Sequence, residues 1–150
     1  MKVLVVNGPN LNLLGIREKD IYGSLSYNDL CSYIKKCAEQ FNIEVDIYQS
    51  NVEGELINYI QDNYKQADGL IINPGAYTHY SYALYDCIRS IDKPTIEVHL
   101  TNIYAREEFR QKSVTAPACI GVITGLKEVG YKIALLAIKD IGVAKMTEKD

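Results

Sequence analysis

The feature that most constrains this chain is a set of short, unbroken apolar runs spaced along its length. A strand with one face in water alternates apolar and polar side chains, whereas a strand covered on both faces reads as a continuous run. Lys2–Val6, Glu44–Tyr48, Leu70–Ile72, Thr95–Val98 and Ile120–Ile123 read as strands, and several are of the continuous kind. Helical stretches separate them. Ser26, with Asp29 three residues on, opens a helix to about Phe41, and Ser50 with Glu53 gives a capping-box pattern before a helix to about Lys65. A third helix is predicted from His79 to Ser90, stopped before Pro94, and a fourth from Leu126 to Lys139.

Five strands alternating with helices predict an α/β protein with a doubly wound parallel sheet. Right-handed crossovers make a flavodoxin-like, five-stranded order, 2-1-3-4-5, the expected arrangement. No linker, repeat or low-complexity segment divides the 150 residues, so 1–150 reads as a single domain with a polar tail over 145–150. The last helical segment, VGYKIALLAIKDI, is apolar around most of its circumference. Such a helix is buried on more than one side, which suggests a subunit interface.

Composition narrows the function. The net charge is −3 and no basic stripe occurs, which argues against a nucleic-acid partner. A small anionic ligand stays open, because local arginines matter more than the total. The apolar start of MKVLVVNGPN is too short for a secretory signal and reads as a buried strand. No run approaches the length of a transmembrane helix, so no membrane role is expected. The four cysteines, Cys31, Cys37, Cys87 and Cys119, show no CxxC pairing, and only two histidines exist to complete a metal site. Reduced core thiols, no metal and a cytoplasmic location are the resulting expectations.

In open α/β sheets, ligands bind beyond the carboxyl ends of the strands, near the switch in strand order. The residues at those ends are unusually polar. Asn7-Gly8-Pro9-Asn10-Leu11-Asn12 follows the first strand, Gln49-Ser50-Asn51 the second, and Asn73-Pro74-Gly75-Ala76-Tyr77-Thr78-His79 the third. The fourth ends in Glu97-Val98-His99-Leu100-Thr101-Asn102, so both histidines of the chain fall on this rim. Gly8 to Gly15 has neither the Lys-Ser/Thr pair of a P-loop nor the GxGxxG of a dinucleotide site. A Ser/Thr-rich flavin-phosphate loop, the aspartates of a response regulator and a GxSxG elbow are also missing. The chemistry falls to His, Tyr, Arg, Asn and Glu, the tools of proton transfer and enolate stabilisation.

These blocks resemble a known family. NGPNLNLLG with the following REKDIYG, then QSNVEGELI, INPGAYTHYSYAL and IEVHLTNIYAREEFRQKS, are similar to the ordered motifs of type II 3-dehydroquinate dehydratases. The likeness runs from about Lys2 to about Leu136. It implies a flavodoxin-like domain assembled as a dodecamer of four trimers. It further implies interconversion of 3-dehydroquinate and 3-dehydroshikimate without a cofactor, in aromatic biosynthesis or quinate catabolism. One stretch departs from the pattern. Where the family usually continues Thr-Ser-Val-Ala-Leu-Arg-Asp after the histidine, this chain has Tyr80-Ser81-Tyr82-Ala83-Leu84-Tyr85-Asp86, which bears on subunit contacts.

The candidate residues have bland readings as well as functional ones. Tyr22 is one of twelve tyrosines, but Arg17 lies five residues earlier in the same glycine-bounded segment. A free phenol ionises near a pKa of about 10, and a cation within ~4–6 Å lowers an acid's pKa by roughly 1–3 units. The resemblance makes Tyr22 the proton acceptor and Arg17 its stabilising cation. Glu97 and His99 are two apart, on one face of a strand, so the carboxylate can orient the imidazole. A structural buried pair is equally consistent with that spacing, and the resemblance makes His99 the general acid. Asn10 and Asn73 suit turns. The resemblance places Asn10 near the enolate with a water, and Asn73 on the substrate.

The same resemblance makes His79, Arg110 and the backbone amides of Leu100 and Thr101 substrate ligands. Arg106 and Arg110, four apart, are read as neighbours on a helical turn. On one continuous helix His79 and Asp86 share a face, separated by roughly 10 Å along the axis. Asp86 then misses the pocket of its own chain, although the resemblance makes it a site residue. The two agree if Asp86 completes a neighbouring subunit's site. Two other classes compete with a lyase: a non-catalytic module binding a small anion, and a flavin carrier, which would be yellow.

Overall fold

A computed structural model describes residues 1–16 and 18–147. Arg17 and the tail from residue 148 onward lie outside the described residues. The strands are β1 (Lys2–Asn7), β2 (Glu44–Gln49), β3 (Gly69–Asn73), β4 (Thr95–His99) and β5 (Gly121–Thr124), each within two residues of its expected bounds. They form one sheet in the order β2-β1-β3-β4-β5, and every pairing is parallel. The helices are α1 (Lys19–Tyr22), α2 (Tyr27–Gln40), α3 (Glu53–Asn63), α4 (Tyr82–Ser90) and α5 (Val129–Thr147).

Alternation along β1 explains why its sequence is apolar at every position. Val3 and Val5 pack with Leu30, Ile34, Tyr131, Leu135 and Ile138 under α2 and α5. Leu4 and Val6 face the other way, into Leu56, Ile60, Leu84 and Ile88 of α3 and α4. Each such aliphatic side chain contributes about 1.5–3 kcal/mol on burial, so two separate cores hold the sheet. Among the described residues no helix is long and apolar enough to cross a membrane.

The local signals divide. Ser26 and Asp29 form the expected reciprocal capping box at the start of α2. Ser50 does not pair with Glu53. Its hydroxyl bonds to Glu55 and accepts the Val52 N–H, so Val52 is the N-cap of α3. The predicted helix from His79 is also corrected. Gly75–His79 is a 3₁₀ turn, Tyr80 leaves the helical region at φ −152°, and Ser81 caps α4 by accepting the Leu84 N–H. His79 and Asp86 therefore do not share one helix. Arg106 and Arg110 are likewise not on one helical turn, because Arg106 is extended between two 3₁₀ turns, Ile103–Ala105 and Glu108–Gln111.

The apolar circumference of α5 has two fates. Tyr131, Ala134, Leu135 and Ile138 are fully buried, whereas Ile133 and Leu136 are 40% and 42% exposed. The helix continues to Thr147, into the segment read as a tail. Ile120 and Val122, at and just before the edge strand β5, are exposed as well.

Candidate active site

Three loops leave the carboxyl edge of the sheet and enclose a cleft at the switch between β1 and β3. Their close approach depends on Gly8. Its N–H donates to the Asn73 carbonyl at 2.7 Å, and a Cβ there would lie 2.4 Å from the Pro74 carbonyl oxygen. Asn10 follows in the left-handed region at φ 67°, a conformation that asparagine tolerates better than most residues. Asn51 braces that turn, its side-chain oxygen accepting the Asn10 N–H at 3.0 Å and the Gln49 amide at 3.1 Å. The loop after β2 thus supports the loop after β1.

The cleft spans about 670 Å³ when the open space at its mouth is included. Asn10, Tyr22, Asn73, His79, His99, Leu100, Thr101 and Arg110 all line it, as do Leu14, Ile103 and Arg106. Glu97 lies beneath, fully buried. Asp86 does not line it and is exposed on α4.

The floor is a buried polar network. The Tyr131 hydroxyl donates to Asn7 Oδ1 at 2.7 Å and accepts from Asn73 Nδ2 at 3.1 Å, while Asn73 Oδ1 accepts the Gly75 N–H. These bonds fix the Asn73 amide in one orientation. Burial raises the Tyr131 phenol far above its ordinary value, so it stays a neutral donor.

Two arrangements carry chemistry. The Glu97 Oε2 lies 3.1 Å from His99 Nε2, as the two-residue spacing on a strand implied. With Nε2 committed to the carboxylate, Nδ1 is the nitrogen left to exchange a proton with a ligand. Across the cleft, Arg106 Nη1 donates to the Tyr22 hydroxyl at 2.8 Å and to Thr101 Oγ1 at 3.4 Å. Its side chain is only 10% exposed, Nε lies 3.8 Å from Glu107 Oε2, and Nε and Nη2 have no hydrogen-bond partner among the described residues. Buried guanidinium N–H groups are rarely left so, and they suit a planar anion entering the cleft. Sequence reasoning passed over Arg106 in favour of Arg110. The sequence gives no sign of which arginine turns inward once the segment is not helical.

His79 and Arg110 stand at the rim. The His79 Nδ1 donates to the Lys112 carbonyl at 2.7 Å, and its ring meets Phe109 edge-on at 5.7 Å. Arg110 Nε donates to Glu107 Oε2 at 2.7 Å and lies over the same Phe109 ring. A bond from its own backbone N–H, and then that from Arg110, hold the Glu107 carboxyl below the usual range.

A sheet-edge cleft that gathers a tyrosine under an arginine, and a histidine backed by a buried carboxylate, defines an α/β protein equipped for acid–base chemistry on a small anion. Comparison makes the class specific. A family model described as Dehydroquinase class II matches residues 1–139. A 3-dehydroquinate dehydratase of Clostridium acetobutylicum is 58% identical over 141 residues, covering 94% of this chain and 98% of its own. One from Caldicellulosiruptor saccharolyticus is 60% identical over 141 residues, covering 93% and 97%. The crystal structure of the type II dehydroquinase from Butyrivibrio crossotus matches with a TM-score of 0.91 at 52% identity, covering 93% of this chain and 97% of that one. The chain belongs to the class II dehydroquinase family.

Proposed function

We propose that this protein is a lyase that eliminates water from 3-dehydroquinate to give 3-dehydroshikimate, in the shikimate pathway or in quinate catabolism. The observation that carries the chemistry is the pairing of Tyr22 with Arg106 in the cleft that His99 also lines. The substrate's C3 ketone acidifies its C2 proton. Tyr22, as a phenolate beside Arg106, takes that proton, and the C2–H pair becomes an enolate on the C3 oxygen. Asn10 and a water stabilise that oxygen. The enolate then collapses, the C1–C2 double bond forms, and the C1 hydroxyl leaves as water with a proton from His99. Glu97 orients the imidazole and balances its charge. Asn73, His79, Arg110 and the backbone of Leu100 and Thr101 hold the substrate. Each acid or base step supplies typically about 10²–10⁴-fold, with charge stabilisation and positioning supplying the rest.

Mixing the protein with 3-dehydroquinate tests this directly, because the product's conjugated enone absorbs in the ultraviolet. Binding without any rise in absorbance would leave only an anion-binding module. The enolate route forms no imine and uses neither metal nor organic cofactor. Borohydride added with substrate, or a chelator, should therefore leave turnover intact. Substrate-dependent loss of activity with a modified lysine would sink the mechanism.

The assembly is proposed to be a dodecamer of trimers in the cytoplasm. The exposed apolar face of α5 and the position of Asp86 outside its own cleft support shared sites between subunits. Tyr22→Phe and Asp86→Ala chains refolded together should recover activity that neither has alone, since a mixed trimer contains intact Tyr22–Asp86 sites. A fully active monomer in sedimentation, or well-mixed hybrids with no recovery, would contradict it.

A further inference from the structure

The carboxylate behind His99 is held from its other side by hydroxyls that the proposed mechanism does not use. Thr115 Oγ1 donates to Glu97 Oε1, Ser113 Oγ lies 3.2 Å from Oε2, and Thr78 Oγ1 lies 3.2 Å from both oxygens. The hydroxyls also touch one another, Thr78 to Ser113 at 2.5 Å and Thr78 to Thr115 at 3.0 Å. Glu97, Thr78 and Thr115 are all fully buried.

An ionised carboxylate accepts only, with about four lone-pair positions. His99 and Thr115 bond to the carboxylate, and Thr78 and Ser113 lie within reach of it, the three hydroxyls sharing their single protons between Glu97 and one another. A buried carboxylate is costly unless so satisfied. Nearby Cys119 feels the same charge: burial, and then the negative Glu97, push its thiol up to about 12. The donors come from two loops, which the Val114 N–H joins by donating to the Thr78 carbonyl at 2.6 Å. Within the second loop the Ser113 hydroxyl accepts the Ala116 N–H at 2.9 Å.

We infer that Thr78, Ser113 and Thr115 are positioning residues for the elimination, acting through Glu97 on the general acid His99. The inference rests on the assignment of His99 as that acid. The hydroxyl contacts hold the Glu97 carboxylate in place and spread its negative charge, so that it can orient His99 and balance the imidazolium. With a donor missing, the carboxylate is held less firmly and supports the imidazolium less well, and the ring delivers its proton to the departing hydroxyl less effectively. Substrate contacts are untouched, so the effect falls on kcat rather than KM.

The test is a cycle of variants assayed with 3-dehydroquinate. Thr115→Val keeps the shape and removes the hydroxyl. It should lower kcat on the order of tenfold with KM within about twofold, as expected for a charged hydrogen bond. Thr115→Ser should restore most of the rate. Added to Glu97→Gln, Thr115→Val should cost little more, because both act through one carboxylate. Parental kcat in Thr115→Val, or losses that add in full, would overturn the inference. If Thr115→Val does not fold, Ser113→Ala decides on the same criteria, since Ser113 is only half-buried. His99→Gln is measured alongside. If it keeps kcat, the assignment of the acid has failed. If it loses kcat while the hydroxyl variants do not, the cage has failed and the acid stands.

Discussion

Tyr22→Phe is expected to lower kcat by about 10²–10⁴-fold, the range for loss of a positioned acid or base, with KM within about threefold. The substitution deletes one oxygen. The ring keeps its place at the end of α1, and under the proposed mechanism Asn73, His79 and Arg110, which line the same cleft, still hold the substrate. What disappears is the acceptor for the C2 proton. Steady-state kinetics and inhibitor binding separate the two effects. A Phe variant that turns over within a few-fold of the parent would require another base.

Arg106→Gln is expected to cost on the order of 10³-fold in kcat/KM. At ~4 Å and an effective dielectric of about 20, a unit charge stabilises its opposite by roughly 4 kcal/mol. Each 1.36 kcal/mol is about tenfold in rate. The low exposure of Arg106 leaves little solvent to screen the pair. Gln keeps a hydrogen-bond donor near the Tyr22 hydroxyl but no charge, so the loss reports the charge itself. Lys should recover part of the rate, because it restores the charge without the planar fork. A Gln variant within about fivefold of the parent would assign the phenolate's stabilisation to another cation.

Much of the fold was legible because its signals are local or periodic. The continuous runs of β1 and β3 implied cover on both faces, and Ser26 with Asp29 marked a helix start that the backbone then used. The strand order followed from crossover handedness, and the rim of amides and imidazoles from where strands end. The misreadings share one cause: spacing was converted to geometry through a helix that is absent. Tyr80 breaks the chain between His79 and Asp86, and the extended Arg106 separates it from the turn that carries Arg110. Ser50 met Glu55 rather than Glu53 because the helix begins at Val52's cap. The hydroxyl cage left no pattern at all, since Thr78 and Thr115 meet only when the loops after β3 and β4 fold over Glu97.

The backbone at Asn10 limits what this position can become. Its φ of 67° is cheap for Gly, Asn and Asp and strained for nearly everything else. Glycine satisfies the turn but has no amide to offer an enolate. Aspartate satisfies the turn but brings a negative charge toward an oxygen already becoming negative. The neighbouring brace narrows the choice no further, because Asn51 reads only the backbone N–H of residue 10. Under the proposed mechanism, conformation and chemistry act as two independent filters, and asparagine alone passes both.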